Sequence, residues 1–112
     1  MVEYRKEAQL DLVFHALADS TRRDLLARLK DQDQCVTDLA SKYDVSLNAV
    51  SKHLKVLEKA KLIERTVRGR SHFCRTRPDE LKKVERWIAP YKKFWEQSLD
   101  NLDKYLNTKK GE

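Results

Sequence analysis

Glycine and proline are scarce, two of each in 112 residues. Few positions can therefore serve as positive-φ turns or helix breaks, and the chain is predicted to be mostly helix with short connections. No apolar run approaches the ~20 residues that span a bilayer. The opening Met-Val-Glu-Tyr-Arg-Lys lacks the apolar segment of a signal peptide. The cytoplasm is the expected compartment. Two cysteines, Cys35 and Cys74, make no disulfide framework. There is no Gly-rich phosphate loop and no set of nucleophile, base and orienting group, so an enzyme is not expected.

Charge, by contrast, is abundant: charged residues make up 38% of the chain and hydrophobic residues 40%. That balance suits helices with charged outer faces around a modest core, in one domain that a dimer interface would help stabilise. The net charge is +6, and its placement is uneven. Residues 46–77 hold nine basic side chains against two acidic ones, Glu58 and Glu64, while the remainder is slightly acidic. A basic stretch of this kind is either a solvated face or the footprint of a polyanion binder.

Apolar periodicity gives the elements. Leu10, Val13, Phe14 and Leu17 mark a first helix over 8–18. Asp19 or Ser20 caps a second, to about residue 30. After the polar break Asp31-Gln32-Asp33-Gln34, the residues Val36, Leu39 and Ala40 predict a short third helix ending near Tyr43. Ser46 is a good N-cap for a fourth helix running to about residue 60. The period then changes. Residues 62–67 and 71–76 read as strands joined at Arg68-Gly69-Arg70. Pro78-Asp79 opens a last helix in which Leu81, Val84, Ile88, Tyr91, Trp95, Leu99, Leu102 and Leu106 recur every three or four residues. Pro90 lies inside that pattern, where a kink or break is expected.

A short helix, a tight turn and a basic helix make a helix-turn-helix. On a helical wheel of the fourth helix, Leu47, Val50, Leu54 and Leu57 share one side and are expected in the core. Asn48, Lys52, Lys55 and Lys59 lie opposite, with Ser51 at the margin. An amide near the N-terminus can bond an adenine edge, while lysines and serines hold phosphates. The hairpin with Arg68 and Arg70 flanking Gly69 resembles a wing that reaches an adjacent minor groove. Expected DNA-contacting residues are Ser46, Asn48, Ser51, Lys52, Lys55, Arg68 and Arg70.

The stretches ALADSTRRDLLARL, CVTDLASKYDVSLNAVSKHLKVLEKAKLIE and RGRSHFCR closely resemble the ArsR family of winged-helix repressors. The tail VERWIAPYKKFWEQSLDNLDKYL is similar to one branch of that family. The resemblance implies a mainly α winged helix-turn-helix of about five helices with a two-stranded wing. It also implies a homodimer paired through its first and last helices, on double-stranded DNA with an inverted repeat. Leu10, Phe14, Leu81, Val84, Ile88, Tyr91, Trp95, Leu99 and Leu102 are then the expected dimer contacts. Two departures stand out. Asn48 replaces the proline or serine of other members. Lys61 replaces the glycine that usually ends the recognition helix, so that residue is either strained or the helix ends differently.

Many members of the family sense metals. Cys35 matches the first residue of a Cys-Val-Cys site, but Thr37 stands at the second, and a lone thiolate with a hydroxyl is a poor zinc or metalloid site. The last helix lacks the histidine of the family's other site. No metal and no cofactor are therefore expected, and Cys35 reads as a small buried residue at a helix start. His72 and Cys74 alternate onto one strand face and read as structural or DNA-proximal, although a redox pair with Cys35 is an alternative. His53 is expected to pack or bond at the core edge, and His15 on a helix face. Trp87, Tyr91, Phe94 and Trp95 are either dimer packing or the walls of an effector pocket. Competing readings are a metal- or redox-responsive repressor, a protein-interaction winged helix without DNA binding, and an RNA binder.

Overall fold

The computed structural model describes residues 2–110, and the side chains of residues 8–108. α1 (Val2–Leu17) begins earlier than its apolar pattern predicts. Asp19 then separates two helices: its extended backbone stops one, and its carboxylate accepts from the Thr21 N–H at 2.8 Å and the Arg22 N–H at 3.2 Å to start α2 (Ser20–Leu29). α3 (Val36–Ala40) is a single short turn-and-a-half, after which turns run on to Tyr43. α4 (Leu47–Lys59) starts on Ser46, whose hydroxyl accepts from the Ala49 N–H at 3.1 Å.

Three strands follow the pattern only in part. β2 (Ile63–Arg68) and β3 (Ser71–Thr76) form the expected antiparallel hairpin. The sheet has a third member, β1 (Gln34–Cys35), which pairs with β3 so that the order is β1-β3-β2. Gln34 therefore belongs to a strand, not to the polar break the sequence predicts.

The core of residues 1–82 gathers Val13, Leu25, Leu29, Leu39, Val50, Leu54, Leu57, Leu62 and Ile63, all at or near complete burial. Leu47 is a correction: it is half exposed, not part of this core. Cys35 is another, being half-buried at the start of α3, while Cys74 is buried.

α4 ends in a Schellman arrangement. The Lys61 N–H bonds the Glu58 carbonyl at 2.9 Å and the Leu62 N–H bonds the Leu57 carbonyl at 3.0 Å. This requires a left-handed residue at 61, and Lys61 adopts φ 62°. Of the two outcomes open to a lysine here, the chain takes the strained one. Leu57 and Leu62, the apolar pair that accompanies this motif, are both fully buried and hold it in place.

In the second compact unit, residues 83–112, the described residues are helix alone, the greater part of α5 (Asp79–Lys110). α5 runs through Pro90 without the expected break. Its large apolar side chains, from Trp87 to Leu106, are exposed. No helix among the described residues is long and apolar enough to cross a membrane.

Candidate nucleic-acid interface

The wing tip is built by Gly69. Arg68 pairs with Ser71, leaving Gly69 and Arg70 as a two-residue loop. Gly69 has φ 64° and Arg70 does not share the positive φ, the pattern of a type II′ hairpin turn. Nothing lies within 4 Å of where a Cβ would stand at Gly69, so the demand is on backbone conformation alone.

The base of the wing is tied to α4. Arg65 of β2 is largely buried, and its Nε lies 3.3 Å from a Glu58 carboxylate oxygen. The contact links the base of the wing to the recognition helix. Between them lies a groove of about 310 Å³, lined among others by Leu47, Asn48, Ser51, Arg70, Ser71 and His72. Three of the residues expected to touch DNA, Asn48, Ser51 and Arg70, thus meet in one place. Lys52 and Lys55 are exposed further along α4. Lys55 also lines a second hollow with Glu58, Lys59 and Arg65. Ser46 sits just before α4 with its oxygen committed to the cap.

Arg68 is placed differently. Its guanidinium lies 3.4 Å from the Asp33 carboxylate and 4.8 Å from the centroid of the Phe73 ring. Both partners draw it back along the sheet. Of the two arginines flanking Gly69, Arg70 lines the groove, while Arg68 lies against Asp33 and Phe73 and stays more than half exposed.

A brace holds the helix-turn-helix from behind. The Tyr43 hydroxyl donates to the Asp24 carboxylate, and Arg28 Nε donates to both, at 3.0 Å to Asp24 and 3.1 Å to Tyr43. Arg28 also lies over the Tyr43 ring. The Tyr43 hydroxyl and Arg28 hold the Asp24 carboxyl below its ordinary value of 3.8. Burial and the neighbouring Asp24 carboxylate push the Tyr43 hydroxyl up. This cluster joins α2 to the turn that leads into α4. His53 lies at the core edge, as expected, with Nδ1 3.3 Å from Arg22 Nη1. Arg22 also donates to the carbonyls of Ala16 at 2.7 Å and His15 at 2.9 Å, closing the end of α1.

The two thiols differ. The Thr37 hydroxyl, 3.2 Å from Cys35 Sγ, holds that thiol below its ordinary range, while burial pushes Cys74 up. The register sets Cys35 opposite Phe73 and Cys74 opposite Gln34, and both thiols are free. Among the described residues, no group of three or more His, Cys, Asp or Glu is placed to hold a metal ion.

Sequence reasoning did not anticipate Leu47, Thr37, Ser71 and Arg65 at this face. Leu47 had a signal. On the wheel it lies roughly 50° from the centre of the buried stripe, nearer Ser51 than Leu57.

The chain matches a helix-turn-helix domain family model over residues 17–66. It is 32% identical over 98 residues to the HTH-type transcriptional regulator Rv2034 of Mycobacterium tuberculosis, covering 88% of this chain and 89% of that protein. It is 32% identical over 83 residues to a transcriptional repressor SmtB homolog of Synechocystis, covering 74% of this chain but only 63% of that longer protein. Among solved structures, a crystal structure of an ArsR family transcriptional regulator superposes with a TM-score of 0.74 at 36% identity, covering 80% of this chain and 93% of that one. On this fold, this identity and this coverage, the chain belongs to the ArsR family of winged helix-turn-helix DNA-binding transcriptional regulators, a family of regulators and not of enzymes.

Proposed function

We propose that this chain acts as one winged-helix domain over residues 1–112, in a homodimeric repressor that binds an inverted-repeat operator and needs no metal to do so. One observation carries the reading: Asn48, Ser51 and Arg70, from the start of the recognition helix and the tip of the wing, line one groove. Asn48 and Ser51 stand near base edges. Lys52, Lys55 and Arg70 hold phosphates, which set register and affinity. Ser46 and Arg68 belong to the same face at one remove, the first capping the helix and the second lying against Asp33 and Phe73.

Dimerisation follows from what is uncovered. Tyr91, Trp95, Leu99 and Leu102 on α5 are each more than half exposed, an apolar row that a lone chain in water would hide. Ile88 continues the row, with Leu81 and Val84 half-buried at its start, and Leu10 and Phe14 offer a smaller apolar surface on α1. A two-fold dimer presents two recognition helices, which places half-sites about one helical turn, ~10 bp, or a multiple of it apart. Repression is the activity that the Synechocystis relative's name records. Independence from metal rests on Thr37 in place of a second thiol and on the absence of histidine from the last helix.

The test is selection of bound duplexes from a random library, followed by binding to the selected site with and without chelator. A site with dyad symmetry, bound equally in both conditions, is expected. A site lacking a dyad, or a tenfold change on chelation, would overturn the dimeric or the metal-free part respectively.

A further inference from the structure

Leu47 is the first residue of the recognition helix, and half of its surface is exposed. Its place is unusual in chemical terms. The helix carries Lys52, Lys55 and Lys59 on its outer side, and Asn48 and Ser51 share a groove with Leu47 and Arg70. An isobutyl group on such a face gains nothing from a phosphate. Nor is it needed by the core, which Val50, Leu54 and Leu57 fill at full burial.

We infer that Leu47 is a base-reading residue, packing on the C5-methyl group of a thymine in each half-site. The inference rests on the proposed docking of α4 in the major groove and deepens it. Helix-turn-helix proteins bring the N-terminal residues of the recognition helix to the base edges, and Leu47 is the first of these. Four edges are presented in the major groove, and among them the thymine methyl is the apolar feature. An exposed aliphatic side chain at that position is its chemical complement. On the wheel Leu47 lies roughly 40° from Ser51 and 100° from Asn48, so the thymine falls beside the base pair that Asn48 reads.

The experiment uses the full chain and duplexes carrying the operator selected from a random library. Each thymine of one half-site is replaced in turn by deoxyuridine, which removes one methyl and leaves every hydrogen-bonding group in place. At one position wild-type affinity should fall about fourfold, the worth of one buried methyl. Leu47→Ala should bind the thymine operator with the affinity that wild type shows for the uracil one, and should not distinguish the two. Leu47→Gln, which keeps the length of the side chain, should likewise lose the distinction. If wild type binds the operator but no uracil replacement weakens it, the inference is wrong. If Leu47→Ala keeps the full thymine preference, another residue reads the methyl and the inference is equally wrong. Failure of wild type to select any duplex would instead overturn the proposed function on which the inference stands.

Discussion

The recognition helix and the terminal helix carry the same kind of pattern, apolar residues three or four apart, with opposite outcomes. In α4 the stripe of Val50, Leu54 and Leu57 is wholly buried by the elements around it. In α5 the longer stripe is exposed along most of its length. Periodicity therefore says that a helix has an apolar side, but not what covers it. Covering depends on how many other elements the same chain supplies. Residues 1–82 supply three other helices and a sheet around α4, while the described part of residues 83–112 supplies only a length of α5.

The sharpest way to break this contrast is to cut the same kind of side chain from each stripe. Leu54→Ala leaves a cavity in a closed core and should lower unfolding free energy by about 2–5 kcal/mol at any protein concentration, measured by denaturant titration. Trp95→Ala and Leu99→Ala should leave that core intact and weaken the dimer instead, each by about 2 kcal/mol or more, as sedimentation across a dilution series would show. If Leu99→Ala left the association constant unchanged, the α5 stripe would have another use.

Within α4, two exposed residues divide the DNA work. Asn48→Ala should cost about 1–3 kcal/mol on the operator, relax preference at one base pair and leave the salt dependence alone. Lys55→Ala should weaken operator and random duplex alike and lower the slope of log affinity against log salt by about 0.9. Equal loss on both duplexes for Asn48→Ala would mean that the helix docks in a different rotation.

Smaller effects follow from the two ends of the helix-turn-helix. Lys61→Gly should relieve a left-handed lysine, a strain of roughly 1–2 kcal/mol, against the entropy that glycine adds to the unfolded chain. A net gain of about 0.5–1 kcal/mol in unfolding experiments is expected. The Asp24 carboxyl should register in acid. Because the folded carboxyl is held below 3.8, its contribution is complete above that value and is lost as pH falls through the lowered folded one. Wild type should therefore lose stability below about pH 4 by a component that Asp24→Asn lacks.

Much of this was legible before any coordinates. The caps at Asp19 and Ser46 and the wing with its glycine rest on local chemistry that a single stretch of sequence contains; Asn48, Ser51 and Arg70, nominated on the same grounds, line one groove. What escaped was set by distant partners or by too few residues. β1 is two residues long and has no period to read; only β3 makes it a strand. Arg68 turns toward Asp33, 35 positions away, so this contact is invisible in its own neighbourhood. Leu47 stands at the margin of its stripe, where the wheel does not decide between core and surface. Pro90 shows a local rule outweighed: its ring removes one N–H from the ladder, yet the helix continues on either side.

The open space around Gly69 has a stereochemical consequence. With φ at 64° and no atom within 4 Å of a built Cβ, the position discriminates by handedness and not by volume. An L-alanine methyl would have ample room and still strain the backbone. The mirror-image residue, D-alanine, has this region of φ as its own preferred one. The tip that carries Arg70 toward the groove is thus specified by chirality, and the side chain it forgoes is one for which there was always space.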